Sequence, residues 1–297
     1  MQINLKGMGI AVLGGDARSL VILEELAASG AAVNAAGLPA DILPAGVNYF
    51  SEPEACLGSV SAVILPVPGV NDKGQLYCPM TLKPLAFTRE LAACFPPGIP
   101  IFTGVAGPYL AKLAAVSGLR LIELMKLNEV AILNSIPTAE GAVQMAMEML
   151  PITIHGSRAF VLGFGRTGAT LARLLGVMGA RTMVAARRPE YLARITELNL
   201  TPVPFARLSH YLGEADVIFN TVPVPVLTGE VLDKVPPGTL IIDLASAPGG
   251  VDFQRAASIG VKAVPAPGLP GKVAPKTAGR ILAKVIIGLL YEETAGN

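Results

Sequence analysis

The sequence predicts an α/β protein of two Rossmann-like, doubly wound parallel-sheet domains with a cleft between them. Three observations carry that expectation. Short β-branched apolar runs alternate with Ala/Leu-rich stretches of helical spacing, the pattern of parallel strands covered by helices on both faces. The alternation occurs twice, and the two runs are separated by a helical segment that follows Pro137. The chain has 297 residues, enough for about two domains.

In the first half, residues 10–13 read as a strand that ends in Gly14-Gly15. A helix near 19–28 and a strand near 32–35 follow. Residues 60–65 form a strand closed by Pro66 and Pro68, and residues 85–94 read as helical. Strand 99–103, helix 108–116 and strand 120–124 complete a sheet of about five parallel strands. The second half opens with a helix over 138–149, in which Thr138 can serve as N-cap behind Pro137 and Pro151 closes the end. Strands are expected at 158–162, 181–185, 217–220, 239–244 and 261–264. A Pro/Gly-rich loop spans 265–271. The last helix, 276–291, repeats Ile281, Leu282, Val285, Ile286, Leu289 and Leu290 at helical spacing. These readings give an N-terminal domain of residues 1–133 that recovers the C-terminal helix 276–297. A second Rossmann-like domain then covers 134–275.

Composition narrows the function classes. The net charge is +1 with Lys and Arg scattered, which gives no electrostatic footprint for nucleic acid. There is no run of 18 apolar residues, so no membrane span is expected. Cys56, Cys78 and Cys94 are odd in number and, with two His, make no metal-ligand pattern; no metal is expected, and free thiols fit a reducing cytoplasm. Hydrophobic residues make up 52% and charged residues 15%, which suits a surface partly covered by another copy in a homo-oligomer.

The segment Ala159-Phe-Val-Leu-Gly-Phe-Gly-Arg-Thr-Gly ends a strand and opens a helix. Gly163, Gly165 and Gly168 have the G-x-G-x-x-G spacing of a dinucleotide loop. The first makes the tight turn, the second admits a pyrophosphate, and the third lets helix and strand pack closely. Arg166 and Thr167 lie at the helix N-terminus, whose free N–H groups favour an anion. The strand after this helix ends in Ala185-Ala-Arg-Arg-Pro, with no acid where an NAD enzyme would bind the ribose 2′-hydroxyl. Arg187 and Arg188 would meet a 2′-phosphate, so NADP is expected rather than NAD; the bland alternative is two solvated arginines. Asn220, Thr221 and Pro223 follow the next strand, where a loop would pass beneath the cofactor. Asn220 could equally be a turn former, and Asp243 a helix cap.

The layout also suits a two-domain D-specific 2-hydroxy-acid dehydrogenase. That chemistry needs an Arg where this chain has Ala245-Ser246 and a His in the last loop, yet no His follows His210. The carboxylate clamp and the base are both missing.

A longer set of segments resembles one family. These are Ile10-Ala-Val-Leu-Gly-Gly-Asp-Ala-Arg, Asn134-Ser-Ile-Pro-Thr-Ala-Glu-Gly, Thr153-Ile-His-Gly-Ser and Leu162-Gly-Phe-Gly-Arg-Thr-Gly. They continue with Ala193-Arg-Ile-Thr-Glu, Asp243-Leu-Ala-Ser-Ala-Pro-Gly-Gly-Val-Asp-Phe and Ala266-Pro-Gly-Leu-Pro-Gly-Lys-Val-Ala-Pro-Lys-Thr-Ala-Gly. Together they resemble the family of A-type dipicolinate synthase subunits from spore-forming bacteria. The resemblance implies oxidation of a dihydro- or hydroxytetrahydro-pyridine dicarboxylate to dipicolinate during sporulation, in the mother-cell cytoplasm. It also implies the B-type dipicolinate synthase subunit as partner. A dianionic substrate wants cations and N–H donors. Arg18, at a strand's carboxyl end, is the first candidate. Ser135 and Thr138 at the hinge, and Lys272 and Lys276 around the last helix N-terminus, are the others. The catalytic base stays open between His155 and Glu140. Two other readings also stay open: an NADP-linked dehydrogenase of another small carboxylate or imino acid, and a Rossmann protein that binds cofactor without turnover.

Overall fold

The computed structural model describes residues 3–81 and 83–295. The chain divides into two units, Met1–Ala131 with Ala274–Asn297, and Ile132–Val273.

In the first unit the strands are β1 (Gly9–Leu13), β2 (Ala32–Ala36), β3 (Val47–Tyr49), β4 (Ala62–Ile64), β5 (Pro100–Thr103) and β6 (Arg120–Glu123). They pair in parallel in the order β3-β2-β1-β4-β5-β6. Helices α1 (Ala17–Ala28), α2 (Arg89–Ala93) and α3 (Pro108–Val116) connect them. The sheet is thus six-stranded, one more than expected: β3 is a three-residue edge strand, too short to leave a periodic signal. The helix read over 85–94 shrinks to the five residues of α2.

The helix expected to begin at Thr138 begins ten residues earlier. It is α4 (Asn128–Met149), and Pro137 lies inside it. Proline lacks the N–H that would bond Leu133 and costs an interior helix about 3 kcal/mol. Burial of Ala139, Ala142, Val143 and Ala146 in the second unit's core opposes that cost. Thr138 is therefore no N-cap; its hydroxyl donates back to the Asn134 carbonyl at 2.8 Å.

The second unit repeats the plan. Its strands are β7 (Arg158–Leu162), β8 (Arg181–Ala186), β9 (Thr201–Pro204), β10 (Val217–Asn220), β11 (Leu240–Asp243) and β12 (Lys262–Pro265). Their order is β12-β11-β10-β7-β8-β9, all parallel. Numbered within its own unit, each sheet runs 3-2-1-4-5-6, the doubly wound dinucleotide order. Helices α5 (Arg166–Val177), α6 (Pro189–Glu197), α7 (Gly229–Leu232), α8 (Phe253–Ser258) and α9 (Leu269–Val273) join the strands. The segment read as a loop over 265–271 thus winds into α9.

Alternate side chains of β7 go to opposite cores, as strand geometry requires. Ala159 and Val161 pack with α4 and α5, whereas Phe160 and Leu162 pack with Leu208, Leu232 and Ala256. Both faces are covered, which is why these strands read as continuous apolar runs. The last helix, α10 (Pro275–Ala295), belongs to the first unit. Its Leu282, Ile286 and Leu290 join Ile22, Leu23 and Leu26 of α1 in one core. Among the described residues, no helix is long and apolar enough to cross a membrane.

Candidate functional site

A cavity of about 610 Å³ opens at the carboxyl edge of the second sheet. That size lies within the usual range of ligand pockets. Its walls come from the segments that follow β7, β8, β9, β10 and β11, around the point where the strand order reverses between β7 and β10.

The glycine loop forms the centre. Gly163 has φ +97°, a left-handed turn that brings the chain off β7. A Cβ on Gly168 would lie 2.1 Å from the Gly163 carbonyl, so α5 meets the strand as closely as backbone allows. Gly165 differs from both. A Cβ there would meet nothing within 4 Å, and Gly165 caps the twelve-residue α5 without any side-chain hydrogen bond. An open space before an uncapped helix N-terminus suits a pyrophosphate. Arg166 and Thr167 line the same wall. Thr221 also lines it, with its hydroxyl donating to the Leu162 carbonyl at 2.8 Å. Pro223 completes the set of expected residues that face the cavity.

Asn220 does not line it. Its side chain is fully buried, donating to Val222 and Asp243 and accepting from the Val222 N–H. It shapes the loop from below.

The two arginines after β8 part ways. Both line the cavity and both are exposed. Arg188 is ion-paired to Glu190 and lies over the Tyr191 ring, 4.9 Å from its centroid. Glu190, three residues beyond Arg187, does not line the cavity. Its own helical N–H hydrogen bond is the largest influence on its carboxyl and, with the Arg188 hydrogen bond and charge, holds it below the usual range against desolvation. Arg187 has no ion-pair partner among the described residues, which leaves it as the cation available to a phosphate.

Sequence reading missed the aromatic part of the wall. Phe164 meets Tyr191 edge to face at 5.9 Å, and Phe205 lines the cavity beyond them. Tyr191, three residues after Arg188 on a helix, could have been found by spacing. Phe205 arrives from after β9, and only folding brings it in. Ala245 and Ser246 line the cavity where the 2-hydroxy-acid chemistry would need its Arg.

The expected substrate ligands are not gathered at this cavity. Arg18 lies in the first unit, 7% exposed, and its fork is taken by Asp16 at 3.0 and 2.7 Å. Burial pushes the Asp16 carboxyl up, but the Arg18 hydrogen bonds and charge outweigh that and leave it below its ordinary value. Ser135 is buried in the second unit, bonded to the Ile132 carbonyl at 2.6 Å and the Thr170 hydroxyl at 2.7 Å. Its hydroxyl is thereby committed to joining α4 and α5. Thr138 is committed within α4, and Glu140 is exposed on that helix. Lys272 is exposed at the end of α9, and Lys276 is exposed in the first turn of α10.

His155 lies at the amino edge of its sheet, packed against Gly179 in the turn before β8. The length of β7, roughly 16 Å at the usual strand rise, separates it from the cavity. A proton-acceptor role at this cavity is excluded by that placement.

Comparison with known proteins accords with this geometry. Residues 9–125 match the N-terminal domain of the A-type dipicolinate synthase subunits. Residues 131–248 match the NAD binding domain of the D-isomer specific 2-hydroxyacid dehydrogenases. That domain makes the chain a dehydrogenase-type oxidoreductase with a nicotinamide cofactor. The chain is 40% identical to the A-type dipicolinate synthase subunit of Bacillus subtilis (strain 168), over 97% of each chain. The crystal structure of the A chain of dipicolinate synthase from Bacillus subtilis superposes with a TM-score of 0.94 at 39% identity, covering 100% of both chains. That of the corresponding Bacillus halodurans protein gives the same score and identity over 97% of this chain and 99% of the other. With its two doubly wound sheets and its open glycine loop, this chain belongs to the family of A-type dipicolinate synthase subunits.

Proposed function

We propose that this chain is the NADP-binding subunit of a dipicolinate synthase and oxidises a dihydro- or hydroxytetrahydro-pyridine dicarboxylate to the aromatic ring. The observation that carries the cofactor choice is Arg187, exposed at the cavity wall after β8 and without an ion-pair partner among the described residues. Bound nicotinamide supplies the hydride acceptor. A hydride leaves one ring atom of the dihydro substrate and a proton leaves another; the hydroxytetrahydro form also loses water. Aromatisation drives the balance forward.

The chain's own part is binding and orientation. The α5 N-terminus holds the pyrophosphate, Arg187 the 2′-phosphate, and the segments after β10 and β11 the remaining half. The titratable side chains lining the cavity are Arg166, Arg187, Arg188 and Tyr191. A carboxylate or imidazole base must therefore come from outside this wall. We place the protein in the mother-cell cytoplasm, self-associating and working with the B-type dipicolinate synthase subunit. Exposed apolar side chains such as Val177 (81%) and Met147 (59%) support a covered surface.

The test is NADPH formation on adding dihydrodipicolinate to this chain alone and with its B-type partner. Turnover with NADP, and slower turnover with NAD, is the expected result. Tight NADP binding with no turnover in the presence of both proteins would instead favour a cofactor-binding protein without its own chemistry.

A further inference from the structure

Two buried polar side chains sit side by side beneath the cavity wall. Asn220 ends β10 and Asp243 ends β11, and the two are direct partners in the parallel register. Asn220 is 0% exposed and Asp243 4%. The Asp243 carboxylate accepts from the Asn220 amide at 2.8 Å, from the Ala245 N–H at 3.1 Å and from the Gly250 N–H at 3.1 Å. Its donors are thus an amide and two backbone groups. Hydrogen bonds to a charged acceptor are the strong kind, and here all three serve loop geometry.

The two loops are pressed together around this carboxylate. Val226 and Leu227 donate to the Gly250 carbonyl at 3.0 and 2.9 Å. A Cβ on Gly250 would come within 2.4 Å of the Asn220 amide and 2.6 Å of the Val222 carbonyl. Residues 221–224 and 244–246 of these same loops line the cavity. One buried carboxylate therefore sets two segments of its wall at once.

The strand order says which part of a dinucleotide that wall faces. The pyrophosphate belongs at the α5 N-terminus after β7, and the 2′-phosphate at Arg187 after β8. The other half must extend the opposite way, over β10 and β11. From β8 to β11 is three strand spacings, about 14 Å, a span suited to an extended dinucleotide.

We infer that Asp243 and Asn220 are positioning residues for the nicotinamide half of the cofactor, acting through the two loops they tie together. The inference rests on the reading of this cavity as the cofactor site. The experiment compares binding of NADP, NAD and 2′,5′-ADP to the full chain and to Asp243→Asn, which turns an acceptor into a donor facing the Gly250 N–H or its neighbours. The expected result is at least tenfold weaker binding of both dinucleotides, with 2′,5′-ADP bound as in the wild type. Should that variant fail to fold by circular dichroism, Asn220→Ala is measured instead, since it keeps the carboxylate and its two backbone donors; a smaller loss confined to the dinucleotides is expected. Equal weakening of all three ligands, or of none, overturns the inference. A wild-type chain that binds no dinucleotide overturns the cofactor reading itself, an outcome separate from an unresponsive variant.

Discussion

The two units share one strand order, yet their first glycine loops are prepared for different ends. After β7 the loop leaves Gly165 facing open space and α5 without a side-chain cap. After β1 the equivalent space is filled by the protein. Gly15 donates its N–H to the Tyr77 carbonyl at 2.9 Å, and a Cβ on Gly14 would lie 2.6 Å from the Cys78 sulfur. Burial pushes the Cys78 thiol up, outweighing the nearby Gly15 and Leu85 N–H groups, so a neutral thiol fills the gap. Asp16 completes the closure: its carboxylate caps α1 at the Arg18 N–H and pairs with the Arg18 side chain. A helix N-terminus becomes an anion site only where its own chain leaves the donors and the space before them free. The first unit carries its anion internally, and the second leaves the corresponding position open.

Converting the second loop to the first is the severest test of this contrast. Gly165 has φ −83°, which any residue adopts, and room for a Cβ. Gly165→Asp should cap α5 with a side-chain acceptor, a gain over glycine of about a few tenths of a kcal/mol. Its carboxylate would face the pyrophosphate, and two like charges 4 Å apart repel by roughly 4 kcal/mol near a protein surface. Cofactor affinity is expected to fall at least a hundredfold by calorimetry while the melting temperature holds or rises; retained affinity would break the comparison.

The converse change acts on stability. Asp16→Ala leaves Arg18 buried without its partner, and breaking such a pair costs about 3–5 kcal/mol; the lower end is expected because the Asp16 side chain is 20% exposed. The loss should appear in urea unfolding with cofactor binding unchanged. Its pH dependence has a definite sign. The folded Asp16 carboxyl titrates below its ordinary value of 3.8, so its contribution is full above that value and fades as pH falls through the lowered one. The gap between wild type and variant should close in that acid window; a gap that stayed constant there would mean the pair is not its source.

The smallest change concerns selectivity. Arg187→Ala removes one charge-assisted contact, worth about 1.5–3 kcal/mol, or roughly ten- to hundredfold in NADP affinity. NAD affinity should hardly move. Equal weakening of both cofactors would remove Arg187 from the 2′-phosphate site.

Much of the second unit was legible because its information is local. Strand, glycine turn and helix follow within twenty residues, and the contacts at Gly163 and Gly168 are of the kind their spacing implies. Most of what failed to show was non-local. β9 is a Thr-Pro-Val-Pro edge strand, and prolines are tolerated at an edge because one side of the strand needs no ladder bonds. Pro137 reads as a helix start until the burial of the residues beyond it is known. Arg18 reads as a free cation because nothing in the sequence says its fork is already filled from two residues away. Ser135 reads as a hinge hydroxyl until α5 brings Thr170 against it.

The sequence by itself determined the α/β class, the glycine loop, the family and the charge at the end of β8, since each depends on residue type and short spacing. The tertiary structure alone decided which arginine is available, which glycine loop is open and which buried carboxylate shapes the wall. Those outcomes depend on what fills the space beside a group and which donors have already found an acceptor, whether that partner is two residues away, as for Arg188, or far along the chain, as for Asp243.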